Sequence, residues 1–233
     1  MAEPLNLSLS QRADWLAHLT KALLQQHHQE DEAHLRAVLP ADGVVVDVGA
    51  HAGQYTKLFA KIAKSGRVFA FEPGAYALSI LRKVVAARGL RNVQIVPLAL
   101  SDAEGEVTFN LPVKKHGGLG FGIAHLGAAG GGPAVRTSIV RTTTLDAFVA
   151  AAGITRLDFI KVDIEGWELH MLRGAKRTLE RFKPALQVEI SDEFLKRAGD
   201  SAAALWSFLG ALGYAGSPLP NTDFLFKAAA KGA

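Results

Sequence analysis

The sequence predicts an α/β protein built on a doubly wound, mostly parallel sheet. The segment 44–53, VVVDVGAHAG, is a β-branched run that leads into a glycine turn. A run without polar alternation is typical of an inner strand covered on both faces. From Tyr55 onward the apolar residues have helical spacing, and the alternation of strand and helix returns later in the chain. A strand, a glycine turn and a helix in this order bind nucleotides at the carboxyl end of a parallel sheet.

Length and composition limit the possible architectures. The chain has 233 residues, of which 49% are hydrophobic, enough for one sizeable core. We expect a helical cap over residues 1–42 and a ligand-binding domain over residues 43–233, forming one compact unit. The absence of cysteine excludes disulfides and thiolate metal sites. Oligomeric state is left open.

Charge and hydropathy suggest which partners to expect. No apolar run approaches the roughly 20 residues of a membrane span, and the first residues lack the pattern of a secretory signal. We therefore expect a cytoplasmic protein without a membrane partner. The net charge of +4 invites a nucleic-acid interpretation. However, the basic residues are spread over predicted helices without interleaved aromatic residues, so we expect no nucleic-acid partner.

The first half of the chain predicts three strands with helices between them. Helices within residues 11–39 precede the sheet, and the helix from Tyr55 follows its first strand. The predicted strand Arg67 to Phe71 leads to Glu72, and a helix follows over Ala75 to Arg88. A third strand, Val93 to Leu100, leads to Ser101 and Asp102.

The segment 105–145 interrupts this alternation. Glu106 to Asn110 and Ser138 to Thr144 alternate like strands, and the loop 117–132 between them is rich in glycine. Long loops in compact domains are usually functional or disordered. We expect a β-extension carrying a mobile flap, with disorder of the loop as the alternative.

The second half of the chain restores the pattern. We predict a strand over Leu157 to Val162, a helix over Trp167 to Phe182 and a strand over Ala185 to Ile190. A further helix surrounds Leu205 to Leu212. The turn residues after Tyr214 predict a closing hairpin, which would make the last strand antiparallel.

Acidic residues follow or end the first three predicted strands, at Asp47, Glu72 and Asp102. Because the carboxyl ends of parallel strands share one edge, we expect these acids to line one crevice. Glu72 lies about 25 residues after Asp47, where a carboxylate accepts hydrogen bonds from both hydroxyls of a ribose. Asp102 is placed to accept from the exocyclic amine of an adenine.

The glycine turn distinguishes between two adenosine ligands. Dinucleotide-binding loops place a G-x-G-x-x-G pattern so that a helix N-terminus holds the pyrophosphate. Here the loop is G-A-H-A-G, from Gly49 to Gly53, with Asp47 two residues ahead. That carboxylate would repel a pyrophosphate, whereas it can hold the ammonium of an amino-acid tail. The loop thus favours S-adenosylmethionine, and a nicotinamide-dependent oxidoreductase is the alternative.

The chain also resembles the FkbM family of S-adenosylmethionine-dependent O-methyltransferases over about Val44 to Ser191. The motifs that carry the resemblance are DVGAHAG, FEP, PLALSD, TTTLD, KVDIEGWE and QVEI. The resemblance implies a class I methyltransferase sheet and methyl transfer to a hydroxyl of a sugar or other natural product. It also implies a set of donor contacts. These are Asp47, Gly49 and Gly53 at the methionine end, Glu72 at the ribose, and Ser101 and Asp102 at the adenine. His51 carries no inference.

Asp163 and Glu165 are the candidate catalytic residues, because they follow the fourth parallel strand. Either carboxylate can take the proton of a hydroxyl acceptor or orient that hydroxyl. Both would also suit a Mg²⁺ ion, which prefers oxygen ligands, so we keep a metal as an open possibility. The alternative for Glu165 is a helix cap, where a carboxylate is favoured by the helix dipole.

Other polar and aromatic residues are weaker candidates. His116 and His125 lie in the flap, where they can act as a base over the acceptor or be solvated. We expect His170 at the surface and Trp167 in packing, with stacking on a sugar as the alternative. Glu189 can pair in the interior or contact a substrate hydroxyl. A methyltransferase-like fold kept as a non-catalytic binding module is a further alternative.

Overall fold

The structure is a computed structural model that describes residues 5–113, 119–120, 124–127, 134–219 and 223–229. The helices, in chain order, are α1 (Leu9–Leu24), α2 (Glu32–Arg36), α3 (Gln54–Ile62), α4 (Ala75–Ala87), α5 (Leu145–Ala151), α6 (Glu168–Arg173), α7 (Lys176–Phe182), α8 (Asp192–Arg197) and α9 (Ala202–Ala211). The strands are β1 (Val44–Val48), β2 (Arg67–Phe71), β3 (Val93–Val96), β4 (Ala99–Leu100), β5 (Gly105–Pro112), β6 (His125–Leu126), β7 (Val135–Thr143), β8 (Phe159–Val162), β9 (Ala185–Glu189), β10 (Tyr214–Pro218) and β11 (Asp223–Ala228). A 3-10 turn, Gln29–Asp31, precedes α2.

The main sheet has the predicted architecture. In the described part of the chain, seven strands lie in the order β10-β11-β9-β8-β1-β2-β3. The pairs β9-β8, β8-β1, β1-β2 and β2-β3 are parallel. Strand β11 runs antiparallel to both β9 and β10. The structure thus confirms the mostly parallel sheet and the antiparallel closing hairpin.

Helices cover both faces of this sheet. Alternate residues of the strands point to opposite faces, so Val46 and Phe69 pack on one side and Val45 and Val68 on the other. The first side is covered by α5, α6, α7 and α9, and the second by α3 and α4. Each inner strand is apolar on both faces for this reason, apart from a few polar residues described below.

The N-terminal segment covers α3 and α4. Helix α1 packs on α4, where Trp15 Nε1 donates to Ser79 Oγ at 2.8 Å. The Lys57 ammonium on α3 donates to the Ala22 and Gln25 carbonyls at 2.7 Å each, which satisfies the C-terminal end of α1. The predicted division into a helical cap over residues 1–42 and a following domain stays a prediction; β1 begins at Val44. In the described residues, no helix is both long and apolar enough to cross a membrane.

The predicted third strand is interrupted. Proline cannot donate to a ladder hydrogen bond, and at Pro97 the chain turns with Leu98 N bonded to the Val96 carbonyl at 2.9 Å. The first part, β3, stays in the main sheet, while β4 pairs parallel with β7 in a separate sheet ordered β4-β7-β5-β6. Ser101 and Asp102 therefore follow a strand of the second sheet.

The second sheet is the predicted β-extension, in which β5 and β7 pair antiparallel. Most of the predicted flap, including His116, lies outside the described residues. The predicted helix over residues 167–182 is two helices, α6 and α7. They are separated at Gly174, where a Cβ would lie 2.0 Å from the Ser101 carbonyl oxygen. This close approach fixes the end of α6 against the turn after β4.

Candidate active site

A cavity of about 300 Å³ opens at the carboxyl ends of β1, β2 and β8. The loop after β1 contributes Gly49 and His51 to its wall, and β2 leads directly into Glu72. The segment after β8 contributes Asp163 and Glu165. Apolar side chains of the β-extension and the N-terminal segment complete the wall. Among these are Leu5, Phe109, Leu111, Leu119 and Leu126.

Gly49 brings the β1 loop against the end of β8. Its φ is +78°, a left-handed conformation that favours glycine. A Cβ at this position would lie 2.0 Å from the Asp163 carbonyl oxygen, so no side chain fits. Gly53 has a φ of +84° and ends the loop as the N-cap of α3. Both predicted glycines thus shape the turn, and their contacts to a donor stay a prediction.

Glu72 anchors the loops on two sides of the cavity. Its carboxylate accepts from His51 N and from Gly74 N, each at 2.8 Å. The residue is 4% exposed, and burial raises the pKa of its carboxyl to about 7. Glu72 lines the cavity as expected, and its contact with a ribose stays a prediction.

Folding stability is expected to respond to pH through Glu72. A carboxyl whose pKa is about 7 when folded, against 4.5 in the unfolded chain, binds its proton more tightly in the folded state. Its contribution is present at low pH and is lost as the pH rises from about 4.5 to about 7. Relative to Glu72→Gln, the free energy of unfolding of the unaltered chain should fall by about 3 kcal/mol between pH 4 and pH 8. Urea unfolding at both pH values measures this difference, and a constant difference would contradict it.

Asp47 lies deeper than predicted. It is the fourth residue of β1, is fully buried and is not part of the cavity wall. Its Oδ2 accepts from Thr56 Oγ1 of α3 at 2.6 Å. Burial raises the pKa of its carboxyl to about 6, despite the nearby Lys161 ammonium. This buried position therefore disfavours a direct contact between Asp47 and a ligand in the cavity.

Asp163 is held by a buried cation. Lys161, two residues earlier on the same face of β8, is 2% exposed and places Nζ 2.7 Å from Asp163 Oδ2. Burial by itself would raise the pKa of Asp163, but the Lys161 charge outweighs it and the pKa lies below its usual range. Since the Asp163 side chain remains 39% exposed at the cavity, it is an ionised acceptor there.

Glu165 has different surroundings. Its φ of +57° is unusual for a residue other than glycine, and Arg197 Nη2 donates to its carbonyl at 2.5 Å. Burial and the neighbouring Glu189 raise the pKa of its side chain to about 8. The alternative that Glu165 caps the next helix is wrong, because α6 begins at Glu168. Glu168 itself accepts from the Gly166 and Ile164 amides, each at 3.1 Å.

Asp163, Glu165 and Glu189 form a group of carboxylates. One oxygen of each lies within 4.8 Å of the others. Oxygen ligands at such spacing are compatible with a divalent cation, although acidic groups also cluster without one. The possible Mg²⁺ stays a prediction.

The predicted convergence of three acids is wrong in one further respect. Asp102 does not line the cavity; its carboxylate accepts from His170 Nδ1 at 2.9 Å and from Ser101 Oγ at 3.1 Å. Ser101 Oγ in turn accepts from Trp167 Nε1 at 3.0 Å. The cause is the chain turn at Pro97, after which the last part of the third predicted strand, β4, joins the second sheet. Of the three acids, only Glu72 faces the cavity.

Trp167 and His170 form a stacked pair with ring centroids 4.1 Å apart. Trp167 also limits the space at Gly127, where a Cβ would lie 2.8 Å from its ring. This agrees with packing as the role of Trp167. His170 lies closer to the interior than expected, since its ring also approaches Asp200 at 3.5 Å.

Two histidines line the cavity. His125 lies on β6, is 6% exposed and contributes to the wall, so it is not the solvated loop residue considered from the sequence. His51 was given no role, yet it lines the cavity with a φ of +56°. Histidine is among the residues enriched in that conformation, which is the signal that the sequence offered. The charge of His51 also contributes to lowering the pKa of Asp163.

Comparison with known proteins decides the family. The family model of the methyltransferase FkbM domain matches residues 47–215. The chain belongs to the FkbM methyltransferase family. This confirms the resemblance found in the sequence, and the match starts at Asp47 and covers all the predicted site residues.

Two curated proteins are similar to this FkbM chain. The 2-O-methyltransferase NoeI of Sinorhizobium fredii is 26% identical over 168 residues, covering 66% of this chain and 65% of NoeI. The AMB antimetabolite synthetase AmbE of Pseudomonas aeruginosa is 29% identical over 177 residues, covering 62% of this chain and 8% of AmbE. The chain thus spans less than two thirds of the length of either relative.

Solved structures share the fold. The FkbM methyltransferase of Methylobacillus flagellatus superposes with a TM-score of 0.53 at 16% identity, covering 94% of this chain and 59% of that one. An rRNA methylase of Streptococcus thermophilus gives 0.51 at 16% identity, covering 88% and 99%. A putative methyltransferase of Streptococcus mutans, in complex with SAH, gives 0.50 at 15% identity, covering 87% and 97%. These similarities confirm the predicted class I methyltransferase-like fold.

Proposed function

We propose that this protein is an S-adenosylmethionine-dependent O-methyltransferase that acts on a hydroxyl of a small molecule, such as a sugar or other natural product. The observation that carries the proposal is the cavity beside Gly49, whose wall combines Glu72 with Asp163. Family membership supports methyl transfer, and the similarity to the 2-O-methyltransferase NoeI supports a hydroxyl as the acceptor. Some proteins with this fold are rRNA methylases. The expectation that this protein has no nucleic-acid partner therefore stays part of the proposal and needs its own test.

The residues around the cavity fit S-adenosylmethionine. The donor carries a positive sulfonium and an ammonium group, and the cavity wall holds Asp163, which Lys161 keeps ionised, together with Glu72, whose carboxyl has a pKa of about 7. Opposite charges at close range in a partly desolvated cavity attract each other strongly. The apolar walls of Phe109 and Leu100 are suited to the flat adenine ring and would keep water from it. A pyrophosphate would meet the same carboxylates unfavourably, which disfavours the nicotinamide alternative.

When bound, S-adenosylmethionine supplies an activated methyl group on sulfur. Glu72 would then orient the ribose through its carboxylate oxygens, and the loop from Gly49 to Gly53 would support the methionine end. Asp163, kept ionised by Lys161, would accept a hydrogen bond from the acceptor hydroxyl and align it with the methyl carbon. Alignment contributes strongly to such a displacement, because it replaces a bimolecular encounter. Glu165 has a pKa of about 8, so it would become available to take the hydroxyl proton as the pH rises toward 8.

Calorimetric titration with S-adenosylmethionine, S-adenosylhomocysteine and NAD tests the donor. We expect binding of the first two and no binding of NAD, and binding of NAD alone would overturn the proposal. Incubation of hydroxylated small molecules with methyl-labelled donor then tests the acceptor, with label expected in an ether linkage. Donor binding without transfer to any hydroxyl, amine or RNA tested would instead support a non-catalytic binding module.

Glu72→Gln is expected to weaken binding of S-adenosylhomocysteine by about 10- to 100-fold. The substitution removes the charge from the proposed ribose hydrogen bonds, which contribute about 1.5–3 kcal/mol when one partner is charged. It also places an amide donor against the amides of His51 and Gly74. Calorimetry measures the affinity, and Glu106→Gln on β5, where the carboxyl is absent from the cavity wall, is the matched control. Equal affinities in both variants would contradict the role of Glu72.

A further inference from the structure

A buried row of polar side chains crosses the middle of the main sheet. Asp47 on β1 is in register with Lys161 on β8, and Lys161 is in register with Gln187 on β9. All three are almost fully buried, with exposures of 0%, 2% and 1%. In-register residues of parallel strands point to the same face, so the three side chains lie side by side under α3. This row lies next to the cavity wall but does not form part of it.

Lys161 is the only cation among these three residues, and the charges of three nearby carboxylates act on it. Its Nζ is 2.7 Å from Asp163 Oδ2, and the negative charges of Asp163, Asp47 and Asp223 hold the pKa of its ammonium above the usual range despite burial. The ammonium also lies 4.4 Å from the centroid of the Tyr55 ring, a cation–π contact. A lysine buried without such partners would lose its charge, so these contacts keep it a cation.

The surroundings of Lys161 are themselves fixed. Tyr55 donates to Asp31 Oδ2 at 2.5 Å and accepts from Gln187 Nε2 at 3.1 Å. Gln187 Nε2 also donates to Asp223 Oδ2 at 2.7 Å. The tyrosine ring therefore cannot swing away from the ammonium without breaking buried hydrogen bonds. Connected buried hydrogen bonds of this kind restrict the position of each side chain that they join.

We infer that Lys161 is a positioning residue of the methyl-transfer site, which acts by holding the Asp163 carboxylate in place at the cavity wall. One carboxylate oxygen is tied to the buried ammonium, while the side chain stays 39% exposed toward the cavity. A carboxylate tied at one oxygen keeps a single orientation, as alignment of a hydroxyl acceptor requires. The same ammonium faces Asp47 on β1, the strand that leads into the loop from Gly49 to Gly53. Lys161 thus links the strand before the proposed donor-binding loop to Asp163, the proposed contact of the acceptor hydroxyl. This inference rests on the proposed function.

The test uses the full chain and donor labelled with ¹³C in the methyl group. The ¹³C resonance of the bound methyl reports its immediate surroundings and needs no acceptor. We expect Lys161→Met to move this resonance by more than one line width, as Asp163→Asn does. The double variant should move it no further than Asp163→Asn alone, because Lys161 acts through Asp163. If the ¹³C resonance of the bound methyl has the same position in Lys161→Met as in the unaltered protein, the inference is overturned.

Thr178→Val is the matched control, since it removes a buried polar contact, from Thr178 Oγ1 to Asp146 Oδ1 at 2.6 Å, that lies outside both the row and the cavity wall. It is expected to lower stability without moving the methyl resonance. A shift in Thr178→Val equal to that in Lys161→Met would show a general structural effect and overturn the inference. If Lys161→Met does not fold, the double variant is compared with Asp163→Asn, and a further shift in the double variant rejects the inference. Absence of donor binding, or no shift in Asp163→Asn, would instead reject the proposed function or its placement of Asp163.

Discussion

Replacing Asp163 by asparagine is expected to lower the rate of methyl transfer by about 10²- to 10⁴-fold, the range typical of a lost acid–base or hydroxyl-orienting group. Asparagine keeps the size of the side chain but loses the charge that Lys161 stabilises at 2.7 Å. It also offers an amide nitrogen where the acceptor hydroxyl needs an oxygen. Because S-adenosylhomocysteine lacks the sulfonium charge that Asp163 would face, its affinity should change by less than about threefold, equivalent to about 0.6 kcal/mol.

Initial rates with methyl-labelled donor, together with calorimetric titration of S-adenosylhomocysteine, measure both quantities. Asp158→Asn is a suitable control, because Asp158 contacts Arg156 and the Val44 amide at the opposite end of the sheet. Unchanged turnover in Asp163→Asn would contradict the proposed role. Loss of turnover in Glu165→Gln with activity retained in Asp163→Asn would transfer the role to Glu165.

The order of strands and helices was predictable because each depends on local sequence. Apolar runs such as Val44 to Val48 and Phe159 to Val162 have a periodicity that is complete within the run. The closing hairpin was predictable from its turn residues for the same reason. The interruption at Pro97 is different, because a proline near the end of a predicted strand does not indicate which sheet the next residues join. The pairing of β4 with β7 depends on residues more than 40 positions away.

The candidate site was predictable where a side chain follows directly from a strand end. Glu72 and Asp163 both follow the last residue of a parallel strand, and both line the cavity. The position of Asp102 was wrongly predicted because the turn at Pro97 takes β4 into the second sheet, where Asp102 contacts His170 instead of the cavity. The apolar wall from Phe109 and Leu126 was missed, because an alternating strand does not reveal which of its faces meets the cavity.

Lys161 could have been found in the sequence by aligning strands. A charged residue lies next to last in both VVVDV and FIKV, and polar residues are rare inside buried parallel strands. Placing the two strands side by side in a parallel sheet brings Asp47 next to Lys161. Strand adjacency was the missing information, since β1 and β8 are separated by more than 100 residues.

Asp47→Ala is expected to lower the free energy of unfolding by about 1–3 kcal/mol, the cost of leaving a buried hydrogen-bond donor without its acceptor. The substitution leaves Thr56 Oγ1 without its acceptor at 2.6 Å and Lys161 without one of its neighbouring carboxylates. We also expect the affinity for S-adenosylhomocysteine to fall at least about tenfold, or 1.4 kcal/mol, because Asp47 lies two residues before Gly49 of the donor loop. Urea unfolding and calorimetry below the unfolding transition measure the two effects separately.

Thr56→Val separates the charge of Asp47 from its hydrogen bond. This variant keeps the carboxylate and removes only its contact with α3, so we expect a loss of about 1–2 kcal/mol in stability. Donor affinity should then stay within about threefold of the unaltered protein, since the predicted attraction between Asp47 and the ammonium of the donor depends on charge. A Thr56→Val variant that binds donor as weakly as Asp47→Ala would contradict that prediction. The buried position of Asp47 would then act only by fixing α3 against β1, with no electrostatic part in donor binding.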